Sequence, residues 1–148
     1  MITQVKEKLT LFLANMPIET HKQINQKLCG TPIRMKEGHC VIELKTTKAM
    51  SVDKTGLIHG GFIFGAADYA AMLAVNHPNV VLGSATFDFK KPVIVGEKLY
   101  AEANISETKN GKKNVKVIVK KESLKSQAVI GEGNFTCFTP QHHILEEK

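Results

Sequence analysis

The chain has no tryptophan and only two tyrosines, although it carries 20 lysines and arginines against 14 acidic residues. Its net charge of +6 favours anionic partners: a nucleic acid, an anionic membrane or a phosphorylated ligand. No aromatic residue interleaves with the densest run of lysines, and single-stranded nucleic acids are bound by rings beside positive charge. The sequence therefore argues against a nucleic-acid partner and favours a solvated hairpin face for these lysines, which are Lys109, Lys112, Lys113, Lys116, Lys120, Lys121 and Lys125.

Cysteine is also scarce. Cys29, Cys40 and Cys137 are an odd number, and their spacing matches neither a disulfide framework nor a metal site. We therefore expect free thiols in a reducing compartment and no bound metal. No apolar run approaches the roughly 20 residues of a membrane span, and the apolar core LTLFLA near the N-terminus is short for a secretory signal. These absences predict a cytoplasmic protein with no membrane partner.

The hydrophobic pattern predicts an α+β fold with an antiparallel sheet, because runs of strands flank one long helix. Asn110-Gly111 predicts a tight hairpin turn, and Gly131 and Gly133 predict a bulge in the last strand. The predicted segments are a helix over 1–14, a short helix over 20–28 that Thr20 caps, strands around a turn at 37–38, a polar loop over 46–58, a helix over 60–75 and four strands ending near 138.

The helix over 60–75 is apolar on every side except at Asp68. A helix that is hydrophobic all round is buried all round, so either the sheet wraps around it or a second subunit covers the remainder. A buried carboxylate finds donors, or its pKa rises. Two interpretations follow: Asp68 is a structural group that caps a loop or pairs with a lysine such as Lys90, or it is a carboxylate whose basicity is raised for chemistry.

The helix begins at His59-Gly60-Gly61. A helix N-terminus carries free N–H groups and partial positive charge, and glycines there let a ligand approach the backbone. Such a place polarises a carbonyl and holds a developing oxyanion. His59 has two interpretations, a structural hydrogen-bonding residue that fixes the loop, which we favour, or a residue that contacts the ligand.

The segment HGGFIFGAADYAAMLAVN, residues 59–76, resembles the signature of the hotdog-fold acyl-CoA thioesterases of the phenylacetate-degradation type. That signature is HGG, about six residues, a small residue, Asp and further small apolar residues. The resemblance continues through ATFDFKKPVIVGEKLYAEANI, where the family has a strand, a basic or polar corner, Pro, Gly-Glu and another strand. It implies a hotdog fold, in which a curved antiparallel sheet wraps around one long helix and two protomers pair side by side.

The resemblance also implies roles for residues at the matching positions. Gly60 would offer its N–H to the thioester carbonyl, Asp68 would act as general base or nucleophile, and Ser84 is a weaker candidate for holding the water. The ligand would be an acyl-CoA, with coenzyme A as part of the ligand and no separate cofactor. The residues expected to contact it are His59, Gly61, Tyr69, Lys90 and Lys91.

Helix geometry supports the dimer independently. Gly60 and Asp68 are eight residues apart, about 12 Å along a helix that rises 1.5 Å per residue. Both groups must lie within hydrogen-bond reach of one carbonyl and its attacking water, which is hard within one chain. Two antiparallel helices around a two-fold axis would bring Gly60 of one subunit near Asp68 of the other. We therefore predict two shared sites per homodimer, with pairing of dimers into a tetramer left open.

Two other functions compete with hydrolysis. The first is a non-catalytic protein that binds acyl-CoA or an acyl carrier protein, as some relatives do. The presence of Asp68 favours an enzyme, whereas the bulky Tyr69 beside it favours a binding site. The second, a hotdog dehydratase or hydratase, lacks its usual histidine and acid pattern here. The predicted organisation is an N-terminal helical extension over 1–27, a hotdog domain over 28–139 and a flexible tail over 140–148.

Overall fold

One curved antiparallel sheet of six strands, in the order β1-β2-β4-β5-β6-β3, surrounds a long helix in a computed structural model of the chain. The structure describes residues 15–122 and 127–146, so the helix predicted for residues 1–14 lies outside the described residues. The elements are α1 (Gln26–Cys29), β1 (Thr31–Lys36), β2 (His39–Lys45), a 3₁₀ turn (Lys48–Met50), α2 (Gly60–Val75), β3 (Val81–Phe89), β4 (Lys98–Lys109), β5 (Lys112–Glu122) and β6 (Gln127–Phe138).

The predicted α+β hotdog fold is confirmed. The central strands alternate buried and outward-facing residues, as strands with one face on a core do. Their buried side chains are leucine, alanine and valine, and α2 packs against this inner face. The inner residues of β4 and β5 are Leu99, Ala101, Ala103, Val115, Val117 and Val119.

Residues 15–25, which we call the N-terminal strap, close over the side of α2 that the sheet leaves open. Asn76 ends the helix in the left-handed conformation, with φ at 51°. Its side chain accepts a hydrogen bond from Glu19 N at 2.8 Å and donates one to Pro17 O at 2.9 Å. Ile18 and Ile24 pack on the core. The strap therefore shares its core with the sheet and the helix, and the boundary at residue 27 stays a prediction.

The short helix predicted over residues 20–28 is wrong in its start. It covers Gln26–Cys29, and Asn25 caps it by accepting from Lys27 N at 3.0 Å. His21 has a φ of 53°, a left-handed conformation that no helix tolerates. The hydroxyl of Thr20 contacts the His21 ring at 2.8 Å instead of capping a helix. The helix ends at Gly30, whose φ is 98°.

The two edges of the sheet differ in their protection. Strand β1 is six residues long and contains Pro32, a register shift, Arg34 and Lys36, the devices that keep an edge from pairing. Strand β3 is nine residues long and carries a single formal charge, Asp88. Most of its residues are exposed. Strand β3 is therefore the open edge of the sheet, and it lies beside the first half of α2.

The predicted hairpin turn is confirmed, since Asn110 and Gly111 have φ values of 53° and 73° between β4 and β5. The predicted bulge in the last strand is also confirmed, because β6 fits an extra residue, Ile130, between the partners of Val119 and Lys120. Among the helices within residues 15–122 and 127–146, none is long and apolar enough to cross a membrane.

Candidate functional site

The two glycines that begin α2 make room for two different rings. A side chain at Gly61 would meet the His59 ring at 2.9 Å, and one at Gly60 would meet the Phe89 ring at 3.3 Å. The His59 ring accepts a hydrogen bond from Gly61 N at 2.7 Å through Nδ1, so His59 is the N-cap of the helix. Because Nδ1 accepts, the proton of the neutral ring lies on Nε2. The structural role that we favoured for His59 thus has a specific geometry.

The amide of Gly60 differs from the next two amides of the helix in its hydrogen bonding. Gly61 N is occupied by the His59 ring, and Phe62 N donates to His59 O at 3.1 Å. Among the described residues, Gly60 N donates no hydrogen bond. An N–H in the first turn, at the positive end of the helix dipole, is a donor suited to a carbonyl oxygen that gains negative charge.

Asp68 lies two helical turns after Gly60, next to the segment of α2 in which every residue is buried. Its Oδ1 atom is buried and has no hydrogen-bond partner among the described residues. Burial raises the pKa of Asp68 from 3.8 to about 6. The lysine offered as its structural partner, Lys90, pairs elsewhere, because Lys90 Nζ lies 2.8 Å from Glu132 Oε1. Within the described ranges Oδ1 is thus a buried acceptor without a donor, on a carboxyl group whose pKa is raised by burial.

The uncovered surface beside Asp68 consists of the first half of α2 and the inner side of β3. Gly61 is exposed, Phe64 and Gly65 are half-buried, and the Cβ position of Gly65 has no atom within 4 Å. Ala85 faces this surface from β3, opposite the buried Phe135, and it is exposed nonetheless. The described part of the chain thus leaves open a strip of small residues that leads from Gly61 to Asp68.

Other residues predicted for the site lie elsewhere. Ser84 pairs with Thr136, whose hydroxyl donates to Asn114 on the outer face, so Ser84 faces away from α2. A bulge at Gly83 sets this register, which one sequence alone does not reveal. Tyr69 is 2% exposed, and its ring centroid lies 6.2 Å from that of His21 in the strap. The structure brings neither Ser84 nor Tyr69 to the surface between Gly60 and Asp68.

A groove of about 260 Å³ is bordered by Gly60, Lys90 and Lys91. Its walls are apolar, and Phe89, which is 53% exposed, forms part of them. Sequence reasoning missed Phe89, although the alternation of Ala85, Phe87 and Phe89 places it on the inner face. A larger groove, of about 750 Å³, lies beside α1 and β1, but it contains neither Gly60 nor Asp68.

The three cysteines are poor nucleophiles. Burial raises the pKa of Cys40 and of Cys137 to about 12, and burial followed by the charge of Asp68 raises the pKa of Cys29. A thiol with a raised pKa supplies little thiolate at neutral pH. Within the described ranges, no three histidine, cysteine or acidic side chains come together as a metal site would require.

Comparison with known proteins agrees with this geometry. The sequence profile of the thioesterase superfamily matches residues 55–127, which include the HGG start, Asp68 and the Lys90-Lys91 corner. The chain also superposes on the crystal structure of an uncharacterized protein from Pyrococcus horikoshii with a TM-score of 0.85 and 49% identity, covering 89% of this chain and 98% of that one. The chain belongs to the hotdog thioesterase superfamily.

Curated relatives carry mixed names. This superfamily member is 51% identical over 120 residues to the methylthioribose-1-phosphate isomerase of Aquifex aeolicus, which covers 81% of this chain and 25% of that protein. It is 26% identical over 124 residues to the transcription factor FapR of Caldanaerobacter subterraneus, covering 80% of this chain and 60% of FapR. The chain thus spans a quarter and three fifths of these two relatives.

Proposed function

We propose that the protein hydrolyses the thioester bond of an acyl-CoA. Asp68 acts as the general base for water, or as nucleophile, and the Gly60 amide receives the oxyanion. The observation that carries this proposal is the buried Oδ1 of Asp68, which has no donor within the described residues, together with a pKa of about 6. A base whose pKa lies near neutral is ionised in the cell and still takes a proton from water in the transition state.

The movement of charge during the reaction supports separate roles for Gly60 and Asp68. Attack on a thioester carbonyl moves negative charge onto its oxygen, and an amide at a helix N-terminus stabilises that charge without reorganising. Gly60 N has no other acceptor among the described residues, because the His59 ring accepts from Gly61 instead. His59 then contributes by holding the first turn of α2 in place. The water oxygen bonds to the carbonyl carbon as one of its protons moves to the Asp68 carboxylate. The carbon–sulfur bond then breaks, and the proton on Asp68 moves to the leaving sulfur, so that a carboxylic acid and free coenzyme A are released.

We propose that two protomers share each site. Gly60 and Asp68 of one chain are separated by about 12 Å of helix. The strip of small residues between them is open, and β3 beside it is an edge without proline and with one formal charge. An unprotected edge pairs readily with another copy, and a two-fold axis there would place α2 of each chain antiparallel to the other. Each carboxylate would then face the Gly60 amide of the partner.

The thioester and the carbon atoms on both sides of it would lie in the groove beside Gly60 and Phe89, and the phosphates of coenzyme A would lie at Lys90 and Lys91. The groove walls are largely apolar, which suits carbon atoms, and ammonium groups suit phosphates. Lys91 is exposed, whereas Lys90 already pairs with Glu132. We therefore expect Lys91 to contribute more than Lys90 to phosphate binding.

The test is hydrolysis of a panel of acyl-CoA thioesters by the purified full chain, followed as free thiol release. Asp68→Asn should lower kcat by about 10²–10⁴-fold, the range for loss of a general base. Asp88→Asn, which changes an exposed aspartate on the outer face, is the matched control and should keep the parent rate. In the parent, kcat/KM should rise with pH through about 6 as Asp68 ionises. Hydrolysis that survives unchanged in Asp68→Asn would contradict the proposed mechanism.

The second candidate is a protein that binds an acyl thioester without hydrolysing it. The similarity to FapR, a transcription factor by name, favours this alternative. The same preparation distinguishes the two: calorimetric binding of acyl-CoA without thiol release, in both the parent and Asp68→Asn, would identify a binding protein. Binding accompanied by Asp68-dependent thiol release supports the enzyme.

A further inference from the structure

Four of the seven phenylalanines form a continuous cluster beside the Gly60 amide. Ring centroids lie 4.8 Å apart between Phe89 and Phe87, 6.0 Å between Phe87 and Phe64, and 5.4 Å between Phe64 and Phe135. Exposure falls from 53% at Phe89 to 0% at Phe135. The cluster thus runs from the surface at the start of α2 into the core.

Glycines seat this cluster. Phe87 and Phe89 pair across the sheet with Gly133 and Gly131, and a side chain at Gly131 would meet the Phe87 ring at 2.7 Å. A side chain at Gly60 would meet the Phe89 ring at 3.3–3.7 Å. Aromatic rings over strand glycines are a recognised packing device, and here Gly131 and Gly133 seat the Phe87 ring. The Phe89 ring packs edge-on against Phe87, and Gly60 flanks it from the helix. The other side of the ring is exposed and faces the 260 Å³ groove.

We propose that Phe89 is the specificity-determining residue for the acyl group. A carbonyl oxygen bound to Gly60 N has the first carbon of its acyl chain within two bonds, so that carbon lies close to the groups that flank Gly60. The Phe89 ring, whose atoms lie 3.3–3.7 Å from the place that a Cβ on Gly60 would take, stands on one side of that position. An apolar, unbranched acyl group passes along the ring, whereas a methyl branch next to the carbonyl meets it. This inference rests on the proposed function.

The test compares two isomeric substrates, butyryl-CoA and isobutyryl-CoA, which differ by a branch next to the carbonyl. The parent should prefer the unbranched substrate in kcat/KM by about tenfold or more, since one methyl group in an apolar pocket is worth about 10–200-fold. Phe89→Ala should lower this preference about tenfold, and Phe89→Leu, which keeps an apolar side chain, should lie between. Because Phe89 is half-exposed, both variants should keep the parent melting temperature.

Phe138→Ala is the matched control. Phe138, the last residue of β6, is 40% exposed and lies on the outer face. It pairs with Val81, at the end of β3 that is far from Phe89. It should leave the preference unchanged. A preference that is the same in the parent and in Phe89→Ala, or that changes equally in Phe138→Ala, would overturn the inference.

Failure of the proposed function gives a different result. In that case the parent releases thiol from neither substrate, and the same discrimination is measured as binding. The probes are the ketone analogues of the two substrates, which have a methylene between the sulfur and the carbonyl and resist hydrolysis. A tenfold difference in their dissociation constants that Phe89→Ala removes supports the role of Phe89, and equal constants in the parent contradict it.

Discussion

The two halves of α2 are built from similar residues but have different surroundings. From Tyr69 to Ala74 every side chain is buried, under the sheet on one side and the N-terminal strap on the other. From Gly60 to Asp68 the helix carries an exposed glycine, half-buried rings and a carboxylate oxygen that has no partner in the part of the chain that the structure describes. The first half therefore holds every group of the proposed chemistry, and the second half anchors it.

This difference shows how one helix combines stability with an unfavourable group. A buried acceptor without a donor and an open apolar strip both destabilise an isolated chain. The fully packed half offsets them, because close-packed apolar side chains supply most of the favourable free energy of a small domain. Functional groups that break local rules are expected where the remainder of the structure is consistent.

The largest expected effect tests the anchoring half. Leu73 is 0% exposed, so Leu73→Ala removes buried methyl groups and leaves a cavity. We expect the free energy of unfolding to fall by about 2–5 kcal/mol in urea titrations, while kcat of the folded protein stays at the parent value. A loss below about 1 kcal/mol would mean that the second half does not anchor the helix.

A smaller effect tests the first half. The fold raises the pKa of Asp68 to about 6 from 3.8, so it disfavours the ionised form, and stability falls as pH rises between these values. Asp68→Asn should therefore unfold with a free energy up to about 3 kcal/mol above the parent at pH 8. The difference should vanish below pH 4, where the parent carboxyl is protonated.

Unfolding of Asp68→Asn and the parent across this pH range measures the effect, with Asp88→Asn as the control that should track the parent. Equal stabilities of parent and Asp68→Asn at pH 8 would show that Asp68 gains a donor in solution. The described residues offer this oxygen no donor, so repeating the measurement at low protein concentration tests whether the partner of the proposed dimer supplies it.

The smallest expected effect concerns Gly65, whose Cβ position is open in the chain. In a helix that faces water, Gly65→Ala stabilises by about 0.5–1 kcal/mol, because alanine has the higher helix propensity. If a second copy packs closely there, as we propose, the added methyl group weakens association instead. We expect sedimentation to show a raised dimer dissociation constant. A gain in stability that is the same at every protein concentration would contradict the shared site.

Much of the fold was predictable from local patterns. The helix over 60–75, the strands after it and the Asn110-Gly111 turn follow from periodicity and turn chemistry, and each is confirmed. The start of α1 was not predictable, because no local pattern marks His21 as left-handed; its ring lies 6.2 Å from that of Tyr69, which is distant in the sequence. The face of Ser84 depended on a bulge that forms only when β3 pairs with β6.

The sequence by itself determined that one apolar helix begins at two glycines and carries one carboxylate, because composition and periodicity are properties of a single segment. It determined neither the neighbours of that carboxylate nor the ring beside Gly60. The register of β3 on β6 places Phe89 beside the start of the helix, and Glu132 forms the ion pair with Lys90. Contacts between distant segments depend on how strands pair, and pairing is decided by the whole core at once.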